Sequence, residues 1–179
     1  DGVFDIDGSN YAFRFRFFQD GWLASPVATH TYVYKDKDYY LPIVSVVTDR
    51  RNLYDSQIGA YVDGTNGINN NGGNGHKNSN KNRSWERPVN FEYLVPDDYT
   101  EYSVALNQEA DFEVSGGWSR HFKPNASFKL KTNKVYEGMN YFDFPIFDSK
   151  PYIKNKAIIV RNGGNDCNCR IIDAAIHEI

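Results

Sequence analysis

The chain has 179 residues, 20 Lys and Arg against 23 Asp and Glu, and a formal net charge of -3. That balance advertises neither nucleic acid nor an anionic membrane surface as a partner, and no apolar run is long enough to span a membrane as a helix. Aromatic residues make up 16% of the chain and accompany 14 Gly and 7 Pro, a composition that predicts a β-rich fold.

Tyr11 to Phe18 alternates, with Tyr11, Phe13, Phe15 and Phe17 on one face and Arg14 and Arg16 on the other. This is the pattern of a half-buried strand. Asp20-Gly21 marks a turn, and the Thr- and Tyr-rich run Ala28 to Tyr34 predicts a second strand. The two read as the last strands of a small β-sandwich module, residues 1–36. The mixed-charge linker Lys35–Asp38 then separates it from a second region, residues 37–179. The same four charges also suit a solvated hairpin edge.

Leu41 to Val47 predicts a buried strand, and Thr48 or Asp49 caps one short helical turn through Asn52 and Leu53. Gly64 to Ser84 is dominated by Asn and Gly and predicts a long mobile surface loop. Val89 to Val95 alternates with Val89, Phe91, Tyr93 and Val95 inward. Tyr102 to Leu106 and Asp111 to Val114 continue a meander that Ser115-Gly116-Gly117 breaks. In Ala126 to Thr132, Phe128 and Leu130 face inward, while Ser127, Lys129 and Lys131 share the opposite face. Tyr141 to Phe147 contains Pro145 and predicts an edge or irregular segment.

The last stretch, Ala157 to Ile179, opens with an apolar run to Val160 that suits a strand buried on both faces. A turn through Asn162, Gly163, Gly164 and Asn165 follows. Then comes an amphipathic helical pattern carried by Ile172, Ala175 or Ile176, and Ile179. The fold expectation is therefore α+β, predominantly antiparallel β, ending in an amphipathic helix. That helix has no later sequence to cover it, so the chain is expected to be part of a larger protein.

The strand–turn–helix junction has a chemistry of its own. Gly163 and Gly164 let backbone N–H groups converge as an anion nest, and Arg161 and Arg170 flank it as bidentate donors. The same glycines also suit a plain sharp turn with Arg161 paired to Asp166 or Asp173. A second basic cluster, Arg120, Lys123, Lys129 and Lys131, surrounds the Gly116-Gly117 turn and one strand face. Lysine presented from a β-rich lobe is one way to hold phosphates; an ordinary solvated face is the alternative. Cys167 and Cys169 are too close for a usual structural disulfide, and no zinc set is completed. The four His are scattered and read as surface or strand-face residues.

Three blocks carry a resemblance. They are Leu41 to Asp49 with Asn52-Leu53-Tyr54-Asp55 and Gly59-Ala60-Tyr61-Val62; Trp85-Glu86-Arg87-Pro88-Val89 into Phe91-Glu92-Tyr93; and Gly116 to Arg120, Ser127 to Lys131 and Val160 to Asp166. In this order, from about residue 39 onward, the chain resembles the spore-coat CotH family of atypical, kinase-like proteins. The segment Phe18 to Pro26 looks like the end of the β-sandwich module that often precedes such domains in secreted bacterial proteins. The resemblance implies the β-rich N-terminal portion of a kinase-like domain, ATP and Mg as cofactors, and Ser or Thr of extracellular or coat proteins as acceptors. It implies an extracellular, spore-coat or cell-surface location. Nucleotide-binding residues would be Arg120, Lys129, Lys131, Arg161, Gly163, Gly164 and Arg170, with metal-binding carboxylates supplied by later sequence. Two positions depart from the family: Ala126 and Ile172 stand where a Lys and an Arg are usual. The competing expectation is a non-catalytic extracellular module that binds a protein or glycan through Trp22, Trp85, Trp118 and the Asn-rich loop.

Overall fold

The computed structural model describes residues 8–34, 40–65, 78–97, 101–117, 119–122, 125–135 and 140–163. The strands are β1 (Tyr11–Phe15), β2 (Ala28–Tyr32), β3 (Ile43–Val47), β4 (Arg87–Pro96), β5 (Tyr102–Val114), β6 (Phe128–Lys131), β7 (Phe142–Asp143), β8 (Lys154–Asn155) and β9 (Ala157–Val160). Among the described residues two short helices, α1 (Arg50–Tyr54) and α2 (Ser119–Phe122), and a 3-10 turn at Asn80–Asn82 interrupt them. One five-stranded sheet has the order β3-β4-β5-β6-β9; β1-β2 and β7-β8 form two-stranded sheets. The fold is mostly antiparallel β. Among the described residues no helix is long and apolar enough to cross a membrane.

The chain divides into two compact units, residues 1–47 with 90–108 and residues 48–89 with 109–179. In the first, β1 and β2 pair from Tyr11↔Tyr32 to Phe15↔Ala28. The rings of Tyr11, Phe13 and Phe15 stack in a row at 6.1 Å spacings, as the period-2 pattern requires. Phe17 lies beyond the strand and is exposed. The middle of β4 does not alternate: Asn90, Phe91, Glu92, Tyr93 and Leu94 are all buried. Its polar residues are accommodated by bonding. Asn107 on β5 donates to Glu92 Oε1 at 3.0 Å and to the Thr29 carbonyl at 2.8 Å, and it accepts from Asn90 at 3.0 Å. Thr31 donates to the other Glu92 oxygen and bonds Ser45 at 2.7 Å. Partnering of this kind offsets the cost of burying polar groups.

In the second unit, antiparallel pairing sets Phe112 opposite Leu130 and Leu130 opposite Ile158. Directly opposed residues share a face, so these three form a core stripe. Phe112 stacks on Phe128 at 5.0 Å, and Tyr61 meets Phe112 edge-on at 5.8 Å. Glu113, Lys129 and Ile159 line up on the other face, as do Asp111, Lys131 and Ala157. Asp49 caps α1, its Oδ1 accepting from the Arg51 amide at 2.8 Å.

Three expectations are corrected. Strand β9 is not buried on both faces: it ends the sheet order, with Ile158 6% and Ile159 53% exposed. Tyr102 to Val114 is one 13-residue strand, because Asn107 is consumed in the Glu92 network instead of breaking the chain. Within the expected surface loop, Ser79 and Asn80 are buried, while Asn78 and Asn82 to Ser84 are exposed. Asn80 Nδ2 donates to the carbonyls of Gly59 at 3.0 Å and Ser56 at 3.3 Å. The expected terminal helix, the Lys35–Asp38 linker, Cys167, Cys169, Trp118, Lys123 and most of the Asn-rich segment lie outside the described residues.

Candidate functional site

The second unit gathers three segments at one end of β5, β6 and β9. Leaving β5, the Ser115 amide donates to the Ser127 carbonyl at 2.8 Å, just ahead of β6. Leaving β9, the Asn162 amide donates to Ser127 Oγ at 3.0 Å, and Ser127 Oγ donates back to Asn162 Oδ1 at 2.9 Å. Asn162 Nδ2 also reaches the Asn125 carbonyl at 2.7 Å. Gly116, at φ +101, and Gly163, at φ +81, hold left-handed backbone that other residues rarely adopt. A side chain at Gly117 would meet nothing within 4 Å, so the backbone there is open to an approaching group.

Arg120 sits in α2, and its amide is bonded to the Gly117 carbonyl at 3.2 Å. Its Nη1 donates to the Lys81 carbonyl at 2.9 Å and to Asn82 Oδ1 at 3.4 Å. Lys81 returns the contact, Nζ donating to the Arg120 carbonyl at 3.2 Å. Arg120 Nε is buried and has no hydrogen-bond partner among the described residues. A guanidinium presents its donors as a rigid fork, so one edge is tied down while Nε is left without an acceptor.

Beside it lies a group that sequence reading did not single out. His121 is half-buried, its side chain 6% exposed, with Nδ1 2.8 Å from Asp63 Oδ1 and Nε2 3.2 Å from Asn82 Oδ1. Ser79 donates to the same Asp63 oxygen at 2.7 Å. Burial pushes the Asp63 carboxyl up, but hydrogen bonds from Ser79 and His121 and the charges of Lys81 and His121 outweigh it. The group is held below the usual carboxylate range. The expected surface or strand-face setting for His121 is thus replaced by a half-buried, hydrogen-bonded pairing with Asp63, whose side chain is 31% exposed. The one available signal was its position next to Arg120 in the block after Gly116-Gly117.

Lys129 and Lys131 share the outer face of β6. Lys131 is committed to carboxylates, at 2.7 Å from Glu113 and in a second ion pair with Glu86. Burial works against its charge, yet the two glutamates prevail and hold the ammonium above its usual range. Lys129, opposite Glu113 in register, makes no ion pair among the described residues. Arg161 follows β9 and is exposed, and Gly163 is buried two residues on. Gly164 and Arg170 lie outside the described residues. So Arg120, Arg161 and Gly163 stand on adjoining segments, Lys129 is two residues into the neighbouring strand, and Lys131 is occupied. Among the described residues no group of three or more His, Cys, Asp or Glu could hold a metal ion.

Compared with protein-family models, curated proteins and solved structures, the chain matches none.

Proposed function

We propose that this chain is the β-rich part of a CotH-like, kinase-like domain that takes part in ATP-dependent phosphorylation of Ser or Thr in extracellular or coat proteins. The observation that carries the reading is the buried Nε of Arg120, without a hydrogen-bond partner among the described residues, beside the Gly116-Gly117 turn. Phosphoryl transfer is catalysed mainly by positioning and by charge stabilisation of phosphate oxygens, and such a site needs fixed donors before it needs a nucleophile. The residues present fit a phosphate chain. Arg120 and Arg161 offer guanidinium donors, Lys129 an ammonium, and the glycine turns open backbone. ATP with Mg would supply the phosphoryl group, and this chain's residues would bind and orient its phosphates. Calorimetric titration with ATP and Mg tests it, comparing the wild-type chain with Arg120→Ala and Lys129→Ala. Saturable binding weakened by both substitutions is expected. No binding by this chain, and none by a chain extended past Ile179, would end the reading.

A second reading has its own observation. Phe17, Phe18, Trp22 and Leu23, in the segment between β1 and β2, are 68%, 72%, 75% and 98% exposed. Exposed apolar groups gathered in one segment favour a binding surface for a protein or glycan. Trp85 is not part of it, being held between Arg83 at 5.9 Å and Arg87 at 4.8 Å. A Trp22→Ala substitution that abolishes binding to an extracellular protein or polysaccharide, in a chain that ignores ATP, would favour this alternative.

A further inference from the structure

The loop that joins β1 to β2 is tied by its backbone, yet its side chains stand open. Ser25 closes the base. Its amide donates to the Phe17 carbonyl at 3.0 Å, its Oγ accepts from the Phe17 amide at 2.9 Å, and its carbonyl accepts from Arg16 Nε at 2.8 Å. The outer end is a turn in which the Trp22 amide donates to the Gln19 carbonyl at 3.0 Å and Gly21 takes φ +79, the left-handed backbone that favours glycine. Trp22 is 75% exposed; among the described residues its ring meets no other ring and its indole N–H bonds nothing. Gln19 and Asp20 are exposed, and their side chains make no hydrogen bond or ion pair among the described residues. Tryptophan is ordinarily well buried with its N–H partnered, so an open ring on a hydrogen-bonded turn points to a ligand.

We propose that this loop is a carbohydrate-binding tip: Trp22 stacks on a neutral pyranose, and Gln19 and Asp20 bond its hydroxyls. The proposal rests on the binding-surface reading of this segment and is independent of the phosphate site. A pyranose has an apolar C–H face rimmed by hydroxyl groups. The turn carries the matching set within four residues: an open ring, an indole N–H and a carboxamide that donate, and a carboxylate that accepts. An apolar contact with a few placed polar groups is how small polar ligands are oriented. Trp22 is the platform because Phe18 already carries the Arg16 guanidinium, 5.7 Å from its ring centre. Area and charge disfavour other occupants. At about 200 Å² per aromatic side chain, Phe17, Phe18 and Trp22 present on the order of 400 Å². A stable protein complex takes about 800 Å² from each partner. Insertion into lipid would carry the Asp20 carboxylate out of water along with the rings, which is costly. The same carboxylate repels an anionic glycan, so the sugar is uncharged.

NMR of the whole chain tests this, with the Trp22 indole N–H followed during titration to millimolar hexasaccharides of β-1,4-linked glucose, mannose and N-acetylglucosamine. At least one of the three should shift it saturably. Trp22→Ala should weaken that binding roughly threefold to tenfold, the scale of one lost aromatic contact. Trp22→Tyr, which keeps a flat ring, should retain most of the affinity, and Asp20→Asn, which keeps an acceptor oxygen, should bind better than Asp20→Ala. Both positions are exposed, so the β1–β2 amide spectra should match wild type in every variant, which separates lost binding from lost folding. Sugar binding untouched by Trp22→Ala overturns the proposal, as does a shift produced by phosphatidylcholine vesicles and by none of the sugars. An indole N–H that no sugar moves also overturns it. If Trp22→Ala then still abolishes binding to an extracellular protein, the binding-surface reading survives without the glycan; if it does not, both fail.

Discussion

Removing the Ser127 hydroxyl should loosen the junction where β6 begins and β9 ends. Ser127 is 7% exposed, and its Oγ accepts from the Asn162 amide at 3.0 Å and donates to Asn162 Oδ1 at 2.9 Å. Ser127→Ala deletes both bonds and adds no bulk. Each neutral hydrogen bond contributes about 0.5–1.5 kcal/mol net, so the substitution should cost about 1–3 kcal/mol. With a urea slope of about 2 kcal/mol per M, the unfolding midpoint should fall by on the order of 1 M. Hydrogen exchange gives the local readout: the Asn162 amide should exchange faster in the variant than in wild type, because its acceptor is gone. An unchanged midpoint together with unchanged Asn162 protection would mean that Ser127 does not tie the two strands. The gathering of Gly116, Arg120 and Gly163 at this end would then lose its physical basis.

Other substitutions probe other parts of the second unit. Leu130 is fully buried between Phe112 and Ile158, so Leu130→Ala should cost about 2–5 kcal/mol. Lys129→Ala, one residue earlier and on the outer face, should stay within about 0.5 kcal/mol, and equal losses in urea unfolding would contradict the assigned faces. Gly64→Ala forces a left-handed φ of +71 and brings a methyl to 2.5 Å from the Ser56 carbonyl. A loss of about 2 kcal/mol or more is expected, and a neutral result would show that this segment gives way. The folded Asp63 carboxyl lies below its ordinary 3.8, so its contribution is fully present above that pH and is lost as pH falls through the lowered value. Thermal midpoints of wild type and Asp63→Asn should therefore converge as pH drops below about 4, whereas a constant gap would mean that the Asp63 charge does not contribute.

What the sequence showed was local. The Asp49 cap, the Tyr11–Phe13–Phe15 row and the alternation of Phe128 and Leu130 with Lys129 and Lys131 each follow from residues close in the chain. Turn chemistry and period-2 patterning suffice for them. What escaped depends on distant partners. Tyr102 to Leu106 and Asp111 to Val114 read as two segments, yet they are one strand in which Asn107 is held by Glu92 and Thr29, 15 and 78 residues away. Ser79 and Asn80 read as loop because their neighbours are Asn and Gly, but they are buried against the Ser56–Gly59 and Asp63 backbone and side chains. The same holds at the candidate site. Gly116-Gly117, Arg120, Arg161 and Gly163 were legible as glycine turns with basic flanks. The Asp63–His121 pair, 58 residues apart, had no sequence pattern to announce it. Nor could the strand pattern tell that Lys131 would be claimed by Glu86 and Glu113 while Lys129 makes no ion pair among the described residues.

Residue-resolved NMR of the whole chain during titration with ATP and Mg addresses the proposed phosphate site most directly. Saturable shifts should appear at Gly116, Gly117, Arg120, Lys129, Arg161 and Gly163, with the β1–β2 aromatics unmoved. Spectra that stay unchanged at those six residues through millimolar ATP, or shifts confined to the segment around Trp22, would contradict it.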